Sequence, residues 1–261
     1  MEEIMKKLVK IVLLIILGAV LMRATCGKPN PTEETTIKAK EMMRITDKVY
    51  YHNMSITYDG YHYYTINGGN TNYSVINEYD DKGKFITRYD LKLDGRAIIY
   101  NPDDYYMFVK IYGTDLCKID LENEEYSTEL SEIFANEQSS IGFSPANNVL
   151  CELNDSTVTT YDISDGTEIN TYYLDNYNSE ERFNCSMAAS NEHMFVWGNS
   201  PKEVLIYDME GNYVNSVKLP RAGFGYSLSY CNGMLWIAQD ADAKNKLGKG
   251  TWYGYQLQGL E

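Results

Sequence analysis

The chain has 261 residues, 44% of them hydrophobic, with 24 tyrosines, 6 prolines and a net charge of −14. That length suits one large domain, and abundant tyrosine favours strands with half-wet faces over helices. So acidic a body repels phosphate backbones, which argues against nucleic acid as a partner and against direct contact with anionic surfaces.

At the N-terminus, Lys6, Lys7 and Lys10 precede an unbroken apolar run from Ile11 to Met22. Twelve helical residues reach about 18 Å at about 1.5 Å each, short of a hydrocarbon core of about 30 Å. The run therefore reads as the core of an export signal over residues 1–25 rather than a permanent span. The residues that follow, Met22-Arg23-Ala24-Thr25-Cys26-Gly27, resemble a bacterial lipoprotein signal, with Arg23 where such signals carry Leu. The resemblance implies a lipid on Cys26, a polar tether over 26–35 containing Pro29 and Pro31, and an extracytoplasmic protein touching the membrane only through its anchor. Plain secretion and an uncleaved anchor are the alternatives.

From residue 36 the chain repeats. Four segments place an apolar residue or Tyr before an Asp and a tight turn: Tyr79-Asp80-Asp81-Lys82-Gly83, Ile119-Asp120-Leu121-Glu122-Asn123, Tyr161-Asp162-Ile163-Ser164-Asp165-Gly166 and Tyr207-Asp208-Met209-Glu210-Gly211. Gly254-Tyr255-Gln256-Leu257 has the same form without the Asp. The anchors at 79, 119, 161, 207 and 255 recur at intervals of 40 to 48 residues, the period of a propeller blade. This predicts an all-β fold over 36–261, a single β-propeller of about five four-stranded blades.

The fourth unit shows the pieces. A short inner strand lies near Cys185 to Ser190, then His193 to Trp197, Val204 to Asp208 and Tyr213 to Leu219, joined by turns in which Gly and Asn accept positive φ. The fifth unit runs out of chain after its third strand, near Gln258. Thr36 to Ile45 is expected to supply the missing outer strand and close the ring, removing an open edge; the alternative is a disordered tether. The run from Tyr207 to Lys218 resembles the third and fourth strands of NHL-like and related WD40-like bacterial surface propellers. That resemblance covers 50–258 as architecture and implies no activity.

Chemistry is sparse. His52, His62 and His193 lack metal-ligand spacing, and no Gly-x-Ser-x-Gly, Walker loop or dinucleotide fingerprint occurs. Cys117, Cys151, Cys185 and Cys231 contain no Cys-x-x-Cys pair; they read as buried apolar residues, with a Cys151–Cys185 bridge conceivable in an exported protein. Asp240 to Asn245 superficially matches a calcium loop, but Lys244 sits at a ligand position and the closing Glu is missing. The expected innermost strands, 54–58, 96–100, 140–144, 184–190 and 227–231, contain no Asp or Glu. Two-carboxylate hydrolysis at the central channel then lacks its acid and base. No catalytic residue, metal or cofactor is expected.

Long loops at 174–183, 198–203, 219–226 and 240–250 fall on the face carrying the links between blades. They hold Tyr177, Arg182, Lys202, Arg221, Phe224, Tyr226, Lys244 and, at the edge, Trp252, the expected binding face for a planar or anionic ligand or a protein. The function expected is a non-catalytic ligand- or protein-binding module or scaffold of the bacterial cell envelope, its partner a protein, small molecule or glycan. The alternative is a carbohydrate-active hydrolytic propeller.

Overall fold

The computed structural model describes residues 36–49, 51–69, 71–177, 186–240 and 248–260. It contains five four-stranded antiparallel sheets, each built mainly from consecutive strands. Blade I comprises β2 (His52–Tyr58), β3 (Tyr63–Gly68), β4 (Ser74–Tyr79) and β5 (Phe85–Leu91). Blade II comprises β6 (Gly95–Asn101), β7 (Tyr106–Ile111), β8 (Leu116–Asp120) and β9 (Glu125–Leu130). Blade III holds β10 (Ile141–Ser144), β11 (Val149–Asn154), β12 (Thr157–Asp162) and β13 (Glu168–Tyr173). Blade IV holds β14 (Met187–Ala189), β15 (His193–Trp197), β16 (Glu203–Asp208) and β17 (Tyr213–Lys218). Blade V has β18 (Ser229–Cys231), β19 (Met234–Gln239) and β20 (Gly248–Gln258), and its outer strand is β1 (Lys38–Val49) from the other end of the chain. The expected closing strand is thus present, displaced a few residues toward the C-terminus; it runs antiparallel to β20 from Lys38 opposite Gln258 to Val49 opposite Gly248.

The hydrophobic core is divided as a ring requires. Five clusters each join one pair of neighbouring blades. Ile66 and Val109 meet between I and II, Ile99 and Leu150 between II and III, Leu153 and Val196 between III and IV. Ile206 and Tyr253 meet between IV and V, and Ile56 and Trp252 between V and I. Middle strands are therefore buried on both faces, as β3 and β4 are throughout, whereas the outer β9 and β13 are mostly exposed. This explains why the sequence shows near-continuous apolar runs, with little alternation, in the middle of each unit.

The Asp of the repeat caps the turn between third and fourth strands. Asp80 Oδ1 accepts the amides of Lys82 and Lys84, each at 2.9 Å, and Asp208 Oδ1 accepts those of Glu210 and Asn212, each at 2.9 Å. Asp162 and Asp120 act likewise on Ser164 and Asn123. Gly211 supplies the left-handed backbone at φ +86 that the turn requires.

Buried charges stitch the blades together. Asp47, fully buried on β1, accepts hydrogen bonds from Asn53 Nδ2 (2.9 Å), Asn77 Nδ2 (2.7 Å), the Tyr79 hydroxyl (2.6 Å) and the Trp252 indole (3.0 Å). Its donors come from blades I and V, so the carboxylate clasps the closing seam. Between II and III, Lys110 Nζ donates to the carbonyls of Gly113, Asn136 and Glu137, each at 2.9 Å. Glu152 receives Ser139 Oγ at 2.7 Å and the amides of Ala135 and Asn136. These groups are structural: each is satisfied by the link it holds.

Candidate functional site at the two ends of the channel

The first strand of every blade lies at the axis, so β2, β6, β10, β14 and β18 surround the central channel with one edge of each unpaired. Small residues let them converge. A Cβ on Gly142 would lie 2.7 Å from the Ala189 amide nitrogen, so β10 approaches β14 only because that atom is absent. At the end where the first strands turn into the second, the channel opens as a cavity of about 160 Å³ lined from all five blades.

Its floor is made of Ser55, Ile98, Ile141, Ala188 and Ser229, with Ser55 Oγ and Ser229 Oγ 3.2 Å apart. Its rim carries Tyr58, Tyr100 and Tyr230 with Asn191 and Asn232. No Asp, Glu, His, Lys or Arg is among the described residues that line it. Burial raises the hydroxyl pKa of all three tyrosines, so each remains a neutral phenol at physiological pH. The rings are held: Tyr230 stacks on Phe195 at 5.3 Å and 10°, and Tyr58 packs on Tyr63 at 4.5 Å with its hydroxyl donating to the Gly60 carbonyl at 2.8 Å.

The opposite end, where the blade links lie, is charged. His52 Nδ1 is 2.5 Å from Asp240 Oδ2, and the Asn53 amide donates to Asp240 Oδ1 at 3.0 Å. The imidazole stacks on Phe224 at 4.7 Å and 12°, and Phe224 in turn meets Tyr226 at 5.6 Å. Beside them the buried Arg96 pairs with Asp94 at 3.0 Å and lies over the Tyr112 ring at 5.0 Å. The Asp240 hydrogen bond raises the His52 pKa above 6.5, against the opposing effect of burial. Such a dyad can hold or move a proton. No serine, threonine or cysteine hydrogen-bonds to that imidazole among the described residues.

Of the residues expected on the binding face, Phe224 and Tyr226 reach this mouth. Arg221 does not: it lies over the Tyr253 ring at 4.5 Å and approaches Glu41 at 3.5 Å, joining the link before blade V to β1 and β20. Lys202 is exposed on the 2–3 turn of blade IV, apart from this cluster. Two readings need correction. Trp252 is fully buried with its indole committed to Asp47, and Tyr177 is 9% exposed in the core between blades III and IV, so neither presents a ring to a ligand. Both lie where interblade packing takes up large apolar surface. Arg182, Lys244, Cys26 and Cys185 are outside the described residues. Cys151 is a buried thiol; the conceivable Cys151–Cys185 bridge falls on Cys185, outside the described residues.

Sequence reasoning missed Tyr58, Tyr100 and Tyr230 as a group, although a signal exists: each is the last or next-to-last residue of its inner strand. His52 and Asp240 are 188 residues apart, and only ring closure brings them together.

No protein-family profile matches the chain, and no curated protein matches its sequence. Among solved structures it is similar to the glutaminyl cyclase of Myxococcus xanthus, with a TM-score of 0.61 and 9% identity over 86% of this chain and 98% of that one. It is also similar to the tail fiber of Staphylococcus aureus phage P68, with a TM-score of 0.58 and 14% identity over 85% of this chain and 53% of that one. The likeness is one of fold.

Proposed function

We propose that this chain is a non-catalytic binding propeller of the bacterial cell envelope, of the NHL-like or WD40-like repeat type, held to the membrane by a lipid on Cys26. The observation that carries the binding reading is the axial cavity: five blades converge on a preorganised pocket with aromatic walls, hydroxyl and amide groups and no carboxylate, imidazole or cationic side chain among the described residues that line it, its phenols and the Cys231 thiol held neutral by burial. Acid–base hydrolysis needs titratable groups at the reacting bond; binding needs shape, apolar faces and a few convergent polar groups. The fold itself does not decide, since an enzyme and a phage tail fiber share it.

The envelope location rests on the basic, apolar N-terminal run and the Cys that follows it. Mass spectrometry of the mature protein tests it: a lipid-modified Cys26 at the new N-terminus is expected, and an unmodified or uncleaved terminus contradicts the anchor. The binding reading is tested by thermal-shift screening of small ligands, since a ligand of the folded state raises the melting temperature. Hits should lose their shift in Tyr230→Ala and keep it in Phe224→Ala; the reverse pattern moves the site to the opposite mouth.

A second reading is favoured by the His52–Asp240 pair, whose geometry suits a general base. It requires turnover that disappears in His52→Gln.

A further inference from the structure

We propose that the axial cavity takes one uncharged sugar ring, the end of a neutral glycan. This rests on reading the propeller as a binding module and adds the class of its ligand.

The first argument is charge. A chain of −14 places no charged side chain among the described residues lining this cavity. An ionic ligand would lose its hydration there without a counter-charge, which is costly; a neutral ligand avoids that loss.

The second is hydrogen bonding. Ser55, Thr57 and Ser229 face the cavity with hydroxyls that both donate and accept. The inner edge of each first strand has no partner strand, so its backbone amides and carbonyls also point toward the axis. Some of these groups already meet one another, Ser55 Oγ lying 3.4 Å from the Ile98 carbonyl and 3.2 Å from Ser229 Oγ, which accepts the Ile56 amide at 3.3 Å; their remaining hydrogen-bonding capacity mixes donors and acceptors, as a polyhydroxylated ligand needs.

The third is the rim. Tyr58, Tyr100 and Tyr230 offer rigid rings with apolar faces and polar tips, suited to a pyranose that presents C–H bonds on one face and hydroxyls at its edge. Because Phe195 and Tyr63 already hold two of the rings, little ordering is required on binding. Beyond the rim, Tyr61 and Tyr105, each 78% exposed, stand on the first turns of blades I and II. Tyr105 sits at φ +63, a backbone conformation unfavourable for an aromatic residue that adds nothing to the core. They extend the aromatic surface to where the following sugars of a chain would lie.

The fourth is size. A cavity of about 160 Å³, open at its rim, takes one edge of a terminal ring while the rest of the ring lies against the rim tyrosines, and leaves no space for a longer stretch of chain.

The test is titration of the full-length protein in detergent with methyl glycosides of glucose, galactose, mannose and N-acetylglucosamine, beside methyl glucuronide and methyl glucosaminide, read by saturation-transfer NMR. At least one neutral glycoside should bind, with its charged counterparts about tenfold or more weaker. Tyr230→Ala should weaken it about tenfold or more, Tyr230→Phe should largely retain it, and Phe224→Ala at the other mouth should leave it unchanged. Near-ultraviolet circular dichroism confirms that each variant is folded. Equal binding of charged and neutral glycosides overturns the ligand class, as does the absence of any neutral glycoside signal at tens of millimolar. A non-sugar ligand whose binding is lost in Tyr230→Ala overturns the sugar and leaves the binding module standing; saccharide binding lost in Phe224→Ala but kept in Tyr230→Ala overturns the site.

Discussion

Replacing Asp47 with Ala should open the ring at its seam. The carboxylate is fully buried and accepts four hydrogen bonds, at 2.6 to 3.0 Å, from donors on blades I and V. Each buried donor left without an acceptor costs about 1–3 kcal/mol, with bonds to a charged acceptor toward the upper end. Even at about 1.5 kcal/mol each, the lower bound for a charged acceptor, four such losses would reach about 6 kcal/mol. Against this, the variant no longer desolvates a charge, an offset of several kcal/mol, and deleting one member of a buried charged network typically costs about 3–5 kcal/mol net. We therefore expect a loss of about 3–5 kcal/mol, a large share of the roughly 5–15 kcal/mol of a typical folded domain. Asp47→Asn keeps one carbonyl acceptor but turns an amide donor toward the others, and should lose about 2–3 kcal/mol. Urea unfolding followed by tryptophan fluorescence measures both, since Trp236 and Trp252 lie in the seam cluster. A loss below about 1 kcal/mol for the alanine variant would refute the reasoning that the carboxylate, rather than apolar packing alone, clasps blade V to blade I.

Three further outcomes follow from buried or shifted groups. The His52 pKa is raised by its hydrogen bond to Asp240, so its stabilisation is fully present below pH 6.5 and is lost as pH rises through the raised value; the stability gap between wild type and His52→Gln should shrink over that rise in urea titrations. Burial pushes the Cys117 and Cys151 thiols up to about 11 and about 12, so both should resist a disulfide-exchange reagent at pH 8 in the native state and react on unfolding; rapid native labelling of either would contradict its placement. Lys110→Met should lower stability by about 1–3 kcal/mol in thermal melts, because the carbonyls of Gly113, Asn136 and Glu137 lose the buried ammonium that draws them together.

The blade architecture was readable because its signal is local. The Asp of Tyr-Asp-x-x-Gly caps a hairpin, and the cap recurs wherever that hairpin does. Even its absence is informative: Tyr255 is followed by Gln256 because β20 leads into no hairpin and takes its outer neighbour from β1. The site was less legible. Inner strands without Asp or Glu marked a channel free of carboxylates, but the tyrosines near their ends converge only when five strands share an axis, and no window of sequence shows that. Trp252 shows the opposite error. Its place beside a polar loop suggested a surface aromatic, whereas alternation along β20 turns it inward onto Asp47.

Binding without chemistry is the claim on which the account turns. The most direct measurement follows the anomeric proton resonances of a neutral oligosaccharide incubated with the protein for hours. The account predicts line broadening of its terminal residue that disappears in Tyr230→Ala, with no new reducing-end signal. New anomeric signals lost in His52→Gln would show turnover at the charged mouth and contradict it.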